Sequence, residues 1–98
     1  MNTEKTIGDA KAIQLLIGKY ISTDAFVKTM KNVHDEIGDK TWFPGPIEEE
    51  SLKLTATIYA RNETFQPRDE QGRREFICTV CRFLNKPEMT DAILAILG

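Results

Sequence analysis

Few residues in this chain have reactive chemistry to offer. Cys78 and Cys81 stand in a C-x-x-C spacing, His34 is the single histidine, Glu48, Glu49 and Glu50 are consecutive, and all five arginines fall between Arg61 and Arg82. A C-x-x-C pair carries redox work when its first thiolate sits exposed at a helix N-terminus, where the dipole favours the anion. Here Phe76 and Ile77 precede it, behind Arg73, Arg74 and Glu75. The pair therefore falls inside an element, and both cysteines are expected as small buried hydrophobes. A structural zinc ion takes about four ligands. Two cysteines and one histidine fall short, and no spacing brings His34 toward Cys78, so no metal ligand is assigned.

His34 has the one side chain whose ordinary titration lies near neutrality. A general base also needs a nucleophile within hydrogen-bond reach, and the only serines are Ser22, which reads as a helix cap, and Ser51. His34 follows Val33 at the edge of an apolar stripe and is read as a boundary residue of the core. The run Glu48-Glu49-Glu50 reads as a helix start, because consecutive helical residues point about 100° apart and carboxylates favour the positive end of the dipole. The glycines are scattered, with no G-x-G-x-x-G and no G-x-x-x-x-G-K to cradle phosphate. No catalytic residue and no cofactor is expected, and the chain is read as not being an enzyme.

The arginines are the functional signal. The first sixty residues take their positive side chains from lysine alone. Arginine offers a planar donor fork suited to carboxylates, phosphates and ring faces, so a segment that concentrates it is a candidate binding surface. Arg61, Phe65, Arg68, Arg73 and Arg74, with Trp42 as an aromatic contributor, form the expected partner-binding set. The interspersed Glu63, Asp69, Glu70 and Glu75 nearly cancel the charge, which suits the polar rim of a protein interface better than a phosphate-binding stripe. The same acids allow solvated pairs at i,i+4, Asp69 with Arg73 and Glu70 with Arg74, worth only about 0.2–0.5 kcal/mol each.

Hydrophobic period defines the elements that hold these residues. Ile7, Ala10, Ile13, Leu16, Ile17 and Tyr20 predict a helix ending near Tyr20. Ser22-Thr23-Asp24 supplies cap oxygens for a second helix, with Ile21 stapled on Phe26. Phe26, Met30, Val33 and Ile37 mark its buried face, and Gly38 is its left-handed stop. Asp39 to Pro46 cannot continue it, since Pro44 and Pro46 flank Gly45. That loop carries Trp42 and Phe43, at least one of which is expected to cap the core.

Two later stretches fit both periods. Leu52, Leu54, Ala56, Ile58 and Ala60 alternate as in a strand. A wheel instead gathers Ile47, Ser51, Leu52, Leu54, Thr55, Ala56, Ile58 and Tyr59 on one face, with Glu48, Glu50, Lys53 and Arg61 on the other. Pro46 and the acids that follow favour helix. Phe76 to Cys81 repeats the ambiguity. There Pro67, Asp69 and Glu70 precede a stripe of Phe76, Ile77, Val80, Cys81 and Leu84. The expected fold is an all-α, compact bundle of four to five short helices forming a single domain over 1–98. The alternative is α+β with a two-stranded antiparallel hairpin from about 52–61 and 74–83. Met89, Ala92, Ile93, Ile96 and Leu97 complete a short terminal helix.

At 98 residues, with 41% hydrophobic and 29% charged side chains, the chain suits one folded domain rather than a disordered tail. A net charge of -2 and a pI near 5.4 give no global attraction to nucleic acid or anionic membranes. No apolar run approaches a bilayer span, and the polar Met1–Lys5 start has no secretory pattern behind it, so a cytoplasmic protein with reduced thiols is expected. The reading is a non-catalytic protein–protein interaction module, an adaptor, assembly factor or small inhibitor of the kind bacteria and phages encode. The alternative is a nucleic-acid-binding domain using the Arg61–Arg82 segment. Broad apolar wheels on so small a domain also allow self-association as a homo-oligomer.

Overall fold

Apolar residues at helical spacing along nearly the whole chain become five α-helices in the computed structural model, which describes residues 3–64 and 69–98. They are α1 (Thr3–Tyr20), α2 (Thr23–Glu36), α3 (Ile47–Thr64), α4 (Asp69–Phe83) and α5 (Met89–Leu97). Among the described residues there is no strand, so the hairpin alternative over 52–61 and 74–83 is not formed and the all-α bundle stands. The deciding chemistry is at the entry to α3. Pro46 presets the backbone, its carbonyl accepts the Glu50 N–H at 2.9 Å, and Glu48, Glu49 and Glu50 occupy the first turn, where the dipole favours carboxylates.

Between α1 and α2 the chain turns at Ser22, whose extended backbone and side-chain oxygen, 3.3 Å from the Ala25 N–H, cap α2. Gly38, at φ +88°, ends α2 in a left-handed turn: Asp39 N–H reaches back to the His34 carbonyl at 2.7 Å and Gly38 N–H to Asp35 at 3.2 Å. Ile37 has therefore left the helix, and its side chain is exposed instead of closing the α2 stripe. Asn85, at φ 59°, ends α4 by the same device, with Lys86 N–H on the Cys81 carbonyl at 2.9 Å.

One hydrophobic cluster receives side chains from every helix: Ile13 and Ile17 from α1, Phe26, Met30 and Val33 from α2, Leu54 and Ile58 from α3, Phe76, Ile77, Val80 and Cys81 from α4, and Met89, Ile93 and Leu97 from α5. α1 packs chiefly along α3, and α4 lies against α2, α3 and α5. The Cα radius of gyration, 12.2 Å, matches the roughly 12.6 Å of a tightly packed chain of this length. No helix among the described residues is long and apolar enough to cross a membrane.

Beyond Ile37, burial differs from the sequence reading at several positions, and Ile7 and Tyr20 of the expected α1 stripe are exposed. His34 is not a boundary residue; it is 1% exposed. Glu50, expected on the solvent side, is fully buried, while Leu52, expected on the apolar face, is exposed. α3 is thus rotated so that Ile47, Glu50, Leu54 and Ile58 share the inward stripe. Cys81 is buried, but Cys78 is only half-buried, on the outer side of α4.

Candidate functional site

The loop between α2 and α3 is where buried polar chemistry collects. Its entry is set by Asp39, whose Oδ1 accepts from the Thr41 hydroxyl at 2.6 Å and from the Thr41 N–H at 3.1 Å, a local turn that short polar residues form readily. These bonds hold the Asp39 carboxyl below its ordinary pKa. Its other oxygen, Oδ2, lies 3.2 Å from His34 Nδ1. The loop then lays the Trp42 indole flat on the His34 ring, with centroids 3.4 Å apart and planes 14° from parallel. Beyond His34, Phe76 of α4 meets the imidazole edge-on at 6.3 Å.

Glu50 fastens the second half of the loop. Its Oε2 accepts from Trp42 Nε1 at 2.8 Å, and its Oε1 accepts from the Gly45 N–H at 2.7 Å and from Lys53 Nζ at 3.3 Å. A fully buried carboxylate is tolerated only when its oxygens are satisfied, and here three donors converge on it. Lys53 also donates to the Phe43 carbonyl at 2.6 Å and lies 5.1 Å from the centre of the Trp42 ring. With Arg61 over Phe76 at 5.0 Å, a continuous series results: Lys53, Trp42, His34, Phe76, Arg61, with cations at both ends and rings between.

One residue of this well-fastened loop is not absorbed by it. Phe43 is 72% exposed, the most exposed large apolar side chain described. The expectation that one loop aromatic caps the core is met by Trp42, which packs partly buried against the cluster, and Phe43 projects outward.

Comparison with known proteins returns nothing: no family model, curated protein or solved structure matches this chain.

The predicted partner-binding set is dispersed. Arg61 and Trp42 are brought to the same ring series, on either side of His34 and Phe76. Arg74 lies on the outer side of α4, where it pairs with Asp91 of α5 at 3.2 Å instead of with Glu70. Arg73 is half-buried on the same helix, and Phe65 and Arg68 lie outside the described residues. A surface groove follows α4 between Gln71, Arg74, Glu75, Cys78, Thr79 and Arg82. Among the described residues, no three His, Cys, Asp or Glu side chains lie close enough to hold a metal ion. Burial pushes the Cys81 thiol above its ordinary pKa, in keeping with a core side chain.

A second polar cluster ties three helices together at the far end of α3. Lys5 donates to Asp9 at 2.7 Å, to the Tyr59 hydroxyl at 3.0 Å and to the Leu97 carbonyl at 3.3 Å, and Tyr59 donates to Asp9. Burial acts to raise the Asp9 carboxyl, but the bonds from Lys5 and Tyr59 outweigh it and hold the pKa below its usual value. Burial and then the bond to Asp9 raise the Tyr59 phenol. Each polar group finds its partner within the cluster, which makes it a latch between α1, α3 and α5.

The residues that sequence reasoning missed are Glu50, Asp39 and the buried state of His34. A signal for Glu50 exists: it lies three residues after Ile47 and four before Leu54, on the apolar stripe itself.

Proposed function

We propose that the chain is a protein-binding module whose anchor is Phe43, held outward by the loop that His34 and Glu50 fasten. The observation that carries this is the contrast within one dipeptide: Trp42 is stacked, hydrogen-bonded and packed on the core, while Phe43 is 72% exposed beside it. A large ring on a loop already fixed in one conformation loses little further freedom on binding, the property that makes interface anchors effective. Pro44 and Pro46 stiffen the same loop, and the Lys53 bond to the Phe43 carbonyl fixes its backbone. The partner is another protein with an apolar recess for a phenyl ring. The mixed charges of α4, with Glu75 beside Arg74 and Arg82 in the same groove, suit the rim of such an interface better than a phosphate-binding track.

The test is capture of a partner from the native host by the purified chain and by Phe43→Ala. An interface anchor is worth about 2 kcal/mol or more, so the substitution should weaken binding roughly thirtyfold. Its melting temperature should stay close to the parent's, because the ring is exposed. Reversal of Arg73 and Arg74 should weaken binding further if α4 forms the rim. A captured protein that binds Phe43→Ala undiminished refutes the anchor. Retention on heparin that falls steeply with salt would point instead to nucleic acid.

A further inference from the structure

We propose that the loop Gly38–Pro46 is an acid-released clasp, in which protonation of His34 opens its stack on Trp42 and loosens the segment that presents Phe43. The biological use of the clasp rests on Phe43 as anchor; the clasp itself is read without any partner.

The His34 ring is held on every side. Trp42 covers one face, Phe76 meets an edge, Nδ1 faces Asp39, and Nε2 is buried without a hydrogen-bond partner. With its proton on Nδ1, the neutral ring donates to Asp39 and leaves only a lone pair at Nε2. A second proton would create a buried cation whose Nε2–H meets no acceptor, a far more costly arrangement. The charged groups facing the ring divide. Asp39 from the loop and Glu50 from α3 attract a cation, and the C-terminal end of α2 favours one as well. Arg61 from α3 repels it, and Phe76 from α4 carries no charge. Burial dominates, and with Arg61 it holds the imidazole below its ordinary pKa despite Asp39.

The loop yields before the helix does. α2 is anchored by Phe26, Met30 and Val33, all fully buried, whereas the loop lies over the ring from the outside and departs α2 at Gly38. Lifting the Trp42 side of the loop is therefore the shortest route by which a charged His34 reaches water. The movement gives up the Trp42 Nε1 bond to Glu50, whose other oxygen still holds Gly45, so it stays local.

The direction with pH follows from linkage. With the loop open, His34 titrates near its ordinary value of about 6.5; with the loop closed, it titrates lower. The closed form is then fully favoured above about pH 6.5, and the open-to-closed ratio rises about tenfold for each pH unit below it until the closed-form pKa is reached.

The experiment uses the chain alone. Trp42 is the sole tryptophan and His34 the sole histidine, so Trp42 fluorescence and the His34 imidazole NMR signals each report one residue. Both are followed from neutral to mildly acid pH, with far-ultraviolet circular dichroism in parallel, in the parent and in His34→Gln, whose amide can still donate to Asp39. The expected result is a shift in Trp42 emission centred below about pH 6.5, coincident with His34 protonation, at constant helical signal, and absent from His34→Gln. A flat Trp42 profile, a His34 pKa at or above about 6.5, or loss of helix along with the emission change overturns the clasp. Should His34→Gln not fold, the NMR and fluorescence titrations of the parent decide alone. Because no partner takes part, failure here leaves the Phe43 anchor standing, and failure of the Phe43→Ala binding test leaves the clasp standing.

Discussion

Removing the carboxylate of Glu50 should be felt by the whole α2–α3 loop, and the size of the effect can be worked from its three contacts. Glu50→Ala leaves Trp42 Nε1 and the Gly45 N–H without their acceptor, while Lys53 keeps the Phe43 carbonyl at 2.6 Å. A buried donor left unmade costs about 1–3 kcal/mol. Both bonds are part-buried, so water reaches the donors once the loop shifts, and the expected loss is about 2–4 kcal/mol, the lower part of the summed range. Glu50→Gln is the sharper test because it keeps the shape. Its amide has one acceptor oxygen and an NH₂ group. With the oxygen turned to Gly45 and Lys53, the NH₂ meets the indole N–H donor to donor; turned the other way, it meets two donors instead of one. The first arrangement is cheaper, and with the charge assistance gone it should still cost about 1.5–3 kcal/mol. Such losses are large against the roughly 5–15 kcal/mol of a domain this size. Urea unfolding followed by Trp42 fluorescence and by circular dichroism measures them. Glu49→Gln, which gives up only a solvent-exposed ion pair with Lys53 at 3.4 Å and its place in the first turn, serves as the control and should cost no more than about 1 kcal/mol. A Glu50→Gln protein within about 0.5 kcal/mol of the parent would refute the claim that this carboxylate fastens the loop.

Tyr59→Phe removes the hydroxyl that Asp9 and Lys5 share, yet leaves those two paired at 2.7 Å, so thermal unfolding should register a loss near 1 kcal/mol. An unchanged melting temperature would show that the latch is ornamental. Thiol labelling at neutral pH should modify Cys78 well before Cys81, because Cys78 lies half-buried beside the α4 groove while Cys81 is enclosed and its thiol held above the ordinary pKa by burial. Equal rates for the two thiols in the folded protein would count against the orientation of α4.

The helices are open to sequence reasoning where a 3.6-residue apolar stripe meets a boundary residue, while over α3 and α4 the apolar pattern fits a strand as well and the acids at the helix entry favour helix. Ser22 and Gly38 bracket α2, and Phe76, Ile77, Val80, Cys81 and Leu84 all face inward as the α4 stripe requires. The α3 wheel fails at Leu52 and at Glu50, since a broad apolar wheel does not fix its own rotation; packing against α1 does. The candidate site obeys neither signal. Trp42 meets Glu50 eight residues on, across two prolines, and His34 meets Asp39 only because Gly38 reverses the chain between them. Glu50 has the ordinary dipole role of an acid in a first helical turn, and only its register with Ile47 and Leu54 on the apolar stripe sets it apart from Glu48 and Glu49. Its burial follows from where the loop puts the indole N–H and the Gly45 N–H, because a carboxylate enters a core when donors are already gathered there to receive it. Phe43 follows by the same reasoning. Either loop aromatic could have capped the core, and Trp42 holds that place because its ring nitrogen gives Glu50 a partner that a phenyl group lacks.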